Sequence, residues 1–440
     1  MFNHTFKMAR RSNPFHTDDG GITAFGLFFM IISIMLGGLA IDISNVMTAR
    51  TRLQVAADAA AHAALVARET RSASEAKAIG IKVAKLNMPS DFFGDVLVSS
   101  DIEFGVWDVN SQDFIPDGNS RSAVYVSPRQ TKDTGNAIPT YILKLVGLNE
   151  WNLRVRSIFA TYHPTCFREG FVAQSVVDLQ SNNSYSNGFC IHSNTYVSLN
   201  SNNYFEPGTI VSMPNSEDID LPNSGFKTND GLSEALRSGS YHIKILTRID
   251  DIIAGLQERD PFYLPPYLKS TQTVTLNPLK AIDGTMLESG KIHKLTCNDG
   301  KSATISAGTT MNQVVIVTNC IVKFGQGVVL QDTIIATTSQ DSKSMNAASS
   351  LQVGKDDQCS PGGGAQLVTM GSLYFPADLK VYGGQLLAKG NIQFAANADG
   401  VEGASFVSGG QISGTSNMAM GFCGAGMENN FHAEYFRMTH

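Results

Sequence analysis

The stretch NQVVIVTNCIVKFGQGVVLQDTIIATTS, Asn312–Ser339, sets short runs of Val and Ile between Asn, Gly and Thr corners. Runs this brief, rich in β-branched residues and bounded by turn formers, read as strands rather than helices. The same texture fills FCIHSNTYVSLNSNNYFEPGTIVSMPN, Phe189–Asn215, and Leu379–Gly409, where KVYGG, QLLAKG, NIQFAAN and SFVSG follow in turn. Recurrence at about 20 residues suggests a parallel β-helix. Each coil would bury a row of Val, Ile, Leu and Phe, with Asn and Gly at corners that need left-handed backbone. The repeat is irregular, so a β-sandwich or jelly roll is the alternative. This β-rich region is expected over 166–440. Leu232 to Leu236 and Ile245 to Gln257 show helical spacing, and the Pro-rich DPFYLPPYLK follows. They mark an insertion at about 230–270 that covers the strands or forms a binding face.

The chain has 440 residues, enough for more than one folded unit, with 42% hydrophobic and 16% charged residues. Such a composition excludes a disordered chain. The net charge of −6 and the lack of a long Lys/Arg run argue against nucleic-acid binding. Cys166, Cys190, Cys297, Cys320, Cys359 and Cys423 all lie in the β-rich part, with no CxxC or Cys/His metal spacing. An even, scattered set downstream of a membrane segment reads as disulfides in an oxidising compartment. Sequence does not choose among the pairings. Nearest neighbours, 166 with 190, 297 with 320 and 359 with 423, are the working expectation.

Working toward the N-terminus, Gly21–Ile41 reads GITAFGLFFMIISIMLGGLAI without a charge. As a helix it would be about 31 Å long, the thickness of a bilayer core. The anchor is assigned to Ile22, Phe25, Leu27, Phe28, Phe29, Ile31, Ile32, Leu36, Leu39 and Ile41. A cleaved signal with Gly38-Leu39-Ala40 as its site is the competing reading, but the apolar stretch is longer than a signal core. A pilin-type leader would place a glutamate where Phe25 stands, counting from Gly21. Lys7, Arg10 and Arg11 precede the span, while Arg50 and Arg52 follow it, so charge alone weakly favours a cytoplasmic N-terminus, residues 1–20. The cysteines break the tie: if Cys166 onward must be oxidised, everything after Asp42 lies outside the cytoplasm. Beyond the span, an alanine-rich stretch without Gly or Pro to Glu69 predicts a stalk helix, assigned to 42–87. Leu53, Ala57, Ala60, Ala64 and Ala67 form its packing stripe.

The run Gly21-Ile22-Thr23-Ala24-Phe25, the apolar span, Ala40-Ile41-Asp42-Ile43 and then Ala49-Arg50-Thr51-Arg52-Leu53-Gln54-Val55-Ala56-Ala57-Asp58-Ala59-Ala60-Ala61 resembles the N-terminal segment of TadG-like proteins of the Tad (Flp) pilus-assembly system. The resemblance implies an inner-membrane anchor, a periplasmic body and a link to pilus biogenesis. It says little about what the body does. Residues 88–165 read as a small α+β domain with strands at Val96 to Val98, Ile102 to Trp107, Ala123 to Val126 and Val155 to Phe159, and a short helix from Thr140 to Val146. Its Gly-Val-Trp and Val-Tyr-Val strands and Leu-Val-Gly turn also look like the juxtamembrane region of that family. Trp107 and Trp151 are expected in its core.

No catalytic, cofactor-binding or metal residues are assigned. The carboxylate pairs Glu217-Asp218, Asp250-Asp251 and Asp356-Asp357 lie in turn-like or helical surroundings, and His192, His242 and His293 are isolated. Val176-Val177-Asp178-Leu179-Gln180-Ser181 lacks the Asp-x-Ser-x-Ser spacing of a von Willebrand A metal site. Pro361-Gly362-Gly363-Gly364 lacks a Walker lysine. The expectation is a non-enzymatic envelope protein. Its partners would be the inner membrane, pilus-assembly or other envelope proteins, and a second copy through anchor and stalk. The alternative is a tethered β-helix that binds or cleaves carbohydrate.

Overall fold

The computed structural model describes residues 19–298 and 300–439. Residues 1–18 of the expected cytoplasmic N-terminus, with Lys7, Arg10 and Arg11, lie outside the described residues. The chain divides into two compact units, one running to Tyr162 and including Phe436 onward, the other His163–Tyr435. The last residues therefore return to the first unit instead of ending the β-rich region.

The first unit is built on one helix, Asp19–Arg68. From Gly21 to Ile41 every side chain is exposed except Gly38, and the segment is long and apolar enough to cross a membrane. From Leu53 the helix buries a face of Leu53, Ala56, Ala57, Ala60, Ala61, Ala64 and Leu65. That stripe is wider than the sequence spacing suggested, and Ala67 only borders it. The expected stalk to residue 87 is not one helix. It turns at Glu69–Ser72, and Ala73–Asn87 packs back as the second arm of a hairpin. The cause is a capping box: the Ser72 hydroxyl accepts from the Glu75 amide and the Glu75 carboxylate from the Ser72 amide. Where the arms meet, an added Cβ at Gly80 would stand 3.1 Å from the Ala60 carbonyl and Ala64 Cβ, so small residues set the approach.

Against the hairpin lies a five-stranded sheet in the order Asp113–Pro116, Ile102–Asp108, Ala123–Val126, Ser157–Tyr162, Tyr435–Met438. The pairings given for its first four strands are antiparallel, with Phe104 opposite Val124 and Val124 opposite Phe159. Ile102, Phe104, Val124 and Val126 face the alanine stripe's cluster. Val96 to Val98 forms no ladder. Val96 and Leu97 are buried, and Asp101 closes a turn by accepting from the Val98 amide. The strand expected at Val155 begins at Ser157, and the helix expected at Thr140 to Val146 shrinks to the 3-10 turn Leu143–Val146. Trp107 and Trp151 are half-buried at the margin.

The second unit is β-rich and parallel throughout its strand pairings. Successive strands pair about one repeat apart, Val177 with Val197, Cys190 with Ile210 and Leu386 with Phe406. One line of paired residues runs from His293 through Ile316, Ile335, Leu367, Leu386, Phe406, Phe171, Ile191 and Val211 to Leu236. The order along this line is not the order along the chain. The chain enters at Gly170, advances to Leu236–Ser238, and resumes at Thr273–Thr275 beyond the opposite end of the line. It then returns until Ser405–Ser408 lies beside Gly170–Ala173. The first and last strands thus meet at an internal seam.

The connection between the two runs contains the helix Lys244–Glu258, inside the expected insertion. Ile245, Ile249, Ile252, Ile253 and Leu256 recur at helical spacing on one face. They pack on Val172, Val315, Val317, Ile334, Val368, Leu387 and Val407, the residues that alternate with the line just traced. This ladder is therefore buried on both sides. Corners use asparagine: Asn182, Asn202 and Asn417 adopt φ near 61–63°. Beside them, the buried Asn183, Asn203 and Asn229 stack. Asn203 Oδ1 accepts from the Asn183 amide at 2.9 Å, and Asn229 Oδ1 accepts from Asn203 Nδ2 at 3.0 Å.

Candidate functional site

In the first unit the helix's emergence from its apolar segment forms a defined site. Asp42 is the first charged residue after Ile41 and is buried. Its carboxylate accepts from the amides of Tyr141, Ile142 and Leu143 at 2.6, 3.0 and 2.7 Å. These amides lead into the turn Leu143–Val146, whose free N–H groups suit a carboxylate. One turn before Asp42, Gly38 lies directly beneath Ile142, where a Cβ would collide with its side chain. One turn after, Asn45 Nδ2 donates to the Pro139 carbonyl at 3.2 Å. Spacings of four and three put all three residues on one helix face. Sequence reading named Asp42 as the end of the span and as part of the resemblance motif, without assigning it a partner. An ionisable group at a membrane boundary is the signal that marks it.

The assigned anchor residues Ile22, Phe25, Leu27, Phe28, Phe29, Ile31, Ile32, Leu36, Leu39 and Ile41 are all exposed. Leu53, Ala57, Ala60 and Ala64 are fully buried and Ala67 half-buried within the first unit.

In the second unit the cysteines form the disulfides Cys166–Cys190, Cys297–Cys320 and Cys359–Cys423. The first two join neighbouring repeats. Cys359, Cys423 and Glu402 bring three ligand atoms within 4.8 Å, but both sulfurs are spent in the bond between them. Glu169, which sequence reading did not single out, is buried just before the first strand. It accepts from the Cys423 amide at 2.6 Å and from Gly424, so it ties the last strand region to the first. Burial pushes its carboxyl above the usual range, against the lowering effect of those two amides.

The acidic pairs are scattered. Glu217-Asp218 closes an exposed turn capped by Asn215, and Asp250 pairs with Lys389. Asp357 pairs with Lys355 and accepts from the Ser360 amide. Asp178 lies on the strand Val177–Leu179 and accepts from Gln180. In the glycine cluster, the Gly362 and Gly363 amides donate to Glu428 and Asp332, so the chain's own carboxylates occupy that loop.

Among the described residues, His192 and His293 are fully buried. His192 Nδ1 lies 2.8 Å from Ser212 Oγ and its Nε2 3.0 Å from Asn194 Oδ1, while His293 Nε2 accepts from the Glu288 amide. Burial holds both below the ordinary histidine value, opposed by their hydrogen bonds. A base whose folded pKa is depressed stabilises the fold above its unfolded value of about 6.5 and loses that contribution as pH falls through it. Thermal unfolding of the chain is therefore expected to move to lower temperature between pH 7.5 and pH 5.5. In His192→Asn the shift is expected to be smaller. A midpoint that is flat across this window in the parent chain would contradict the burial. Glu169 has the opposite sign, since a carboxyl raised by burial adds stability as pH falls, so the difference between the parent chain and His192→Asn isolates the histidine.

Residues 170–424, from the first strand of the ladders to the Gly424 held by Glu169, match a family described as a domain of unknown function, DUF7867. The chain belongs to the DUF7867 family. Residues 20–69, the exposed apolar helix and its buried continuation, match the Flp pilus-assembly TadE/G-like family. No curated protein and no solved structure matches the chain. The DUF7867 region thus covers the paired strands and the seam, and the TadE/G-like segment covers the helix up to the turn before its second arm.

Proposed function

We propose that this chain is a non-enzymatic, inner-membrane-anchored envelope protein of a Tad/Flp-type pilus-assembly system, whose β-rich body serves as a protein interaction surface. The observation that carries the reading is the TadE/G-like match over 20–69, coincident with a charge-free helix whose side chains are exposed. Such a helix finds its solvent in lipid. Three disulfides in the body suit a periplasmic or extracellular compartment, which follows if residues after Asp42 are exported. The non-enzymatic reading is supported by the scatter of the carboxylate pairs, of which Asp250 and Asp357 are paired with lysines and Glu217-Asp218 closes a turn. The stalk stripe is already filled by the chain's own second helical arm, so self-association falls to the anchor.

The body is read as a parallel β-helix, supported by parallel pairings at a repeat of about 20 residues and by positive-φ asparagines at corners. In that reading the two runs are segments of one helix joined out of chain order.

The test is a deletion in the parent bacterium, complemented with the full chain or with an exported form lacking residues 19–41. Loss of surface pili, restored only by the anchored form, is the expected result. Unchanged pili together with binding of the purified chain to cell-envelope polysaccharide would replace this reading with the carbohydrate one.

A further inference from the structure

We propose that the loop Tyr141–Leu148 is a second membrane contact, lying in the lipid headgroup layer where the long helix leaves the bilayer; this rests on the anchored reading above. Depth is the first argument. Within Gly21–Arg50 the buried residues are Gly38 and Asp42, and this loop buries both. Gly21–Ile41 matches a bilayer core in length, so its last turn marks the boundary between hydrocarbon and headgroups. The loop is fixed to that level by the three bonds to Asp42 and the contact of Ile142 with Gly38.

Surface chemistry is the second argument. The loop turns Leu145 outward at 77% exposure, Val146 at 58%, Leu148 at 54% and Tyr141 at 53%, with Lys144 also exposed. Leu39, Ile41 and Ile43 on the helix are exposed at the same level. Aliphatic side chains accompanied by a tyrosine and a lysine are the composition of a membrane interface, where the ring and ammonium sit among headgroups.

The third argument is the backbone. A loop at the edge of the hydrocarbon, where water is scarce, is favoured when its polar groups are satisfied internally. The amides of Tyr141, Ile142 and Leu143 are held by Asp42. Those of Thr140, Leu145, Gly147 and Leu148 donate to the carbonyls of Asn149, Ile142, Lys144 and Leu143. The Thr140 hydroxyl donates to the Leu148 carbonyl, closing the loop's base. Its amides are thus largely consumed while its apolar side chains are not, which fits lipid as the occupant.

The experiment places a nitroxide label at Leu145→Cys or Val146→Cys in the full chain, with the native cysteines left oxidised. The chain is reconstituted in phosphatidylcholine/phosphatidylglycerol vesicles. Relaxation by dissolved oxygen and by a water-soluble nickel chelate reports depth, with Ile32→Cys and the exposed Asn110→Cys as references. Labels at 145 and 146 are expected to show an oxygen-to-nickel accessibility ratio severalfold above that at 110 and below that at 32, the position of the headgroup layer between hydrocarbon and water. Labels at 145 and 146 that behave like 110 while 32 stays lipid-exposed would overturn the proposal and leave the anchor standing. A label at 32 that is itself accessible to nickel would overturn the anchored reading and this proposal together. All these positions are exposed, so the substitutions spare the core.

Discussion

Phe171→Ala is expected to destabilise the parallel-strand body by about 4 kcal/mol, the range for removing a buried phenyl ring. Phe171 is fully buried on the first strand and pairs with Phe406 on the last repeat. Its ring lies 5.1 Å from Phe189, 5.0 Å from Phe406 and 5.3 Å from Phe394, centroid to centroid. The cluster therefore draws one ring from the early run's next repeat and two from the late run. Alanine leaves a cavity at the seam where the two runs are held by hydrogen bonds and packing. Denaturant unfolding of the detergent-solubilised chain measures the loss, with Phe375→Ala as a comparison in the core of the later run. A change under about 1 kcal/mol at Phe171, with the usual cost at Phe375, would refute the pairing of first and last strands.

The second large effect is expected at Asp42. Asp42→Ala removes the acceptor from three amides at once and leaves a cavity under the loop. Hydrogen bonds to a charged group are stronger than those between neutral partners, and here three amides lose a single shared anion. Hydrogen exchange at Tyr141, Ile142 and Leu143 is expected to accelerate on the order of 100-fold, while amides of the strand Ala123–Val126 keep their protection. Asp42→Asn keeps one side-chain acceptor oxygen and is expected to fall between. Unchanged exchange at the three amides in Asp42→Ala would show that the carboxylate does not hold the loop. The same variant bears on the membrane contact, because releasing the loop would remove what fixes its depth.

The two kinds of unit were not equally legible. The alanine stripe at Leu53, Ala57, Ala60 and Ala64 was readable because helical periodicity is local and alanine favours it. The turn at Glu69–Ser72 was missed: its signal lies in the Ser72–Glu75 spacing, but a helix-favouring composition on both sides hid it. Two further features depended on distant partners. Asp42 meets residues about a hundred positions away, and its role appears only when Tyr141–Leu143 are folded against the helix. The strand Tyr435–Met438 reads as the tail of the β-rich region, yet it completes the first unit's sheet because a free edge lies beside Ser157–Tyr162.

By itself the sequence determined the element types: a charge-free helix of bilayer length, its alanine-faced continuation, and short β-branched runs with asparagine corners. Each is set by propensity and by periods of two or a few residues, which neighbouring positions enforce. Tertiary structure alone decided the order in which the strands stack. Every run carries much the same alternation of inward Val, Ile, Leu and Phe, so many stacking orders would bury it equally well. What selects the observed order is the fit of particular non-local partners: Phe171 against Phe406, Glu169 against the Cys423 and Gly424 amides, and Asn183 Oδ1 accepting from the Met418 amide across the same seam.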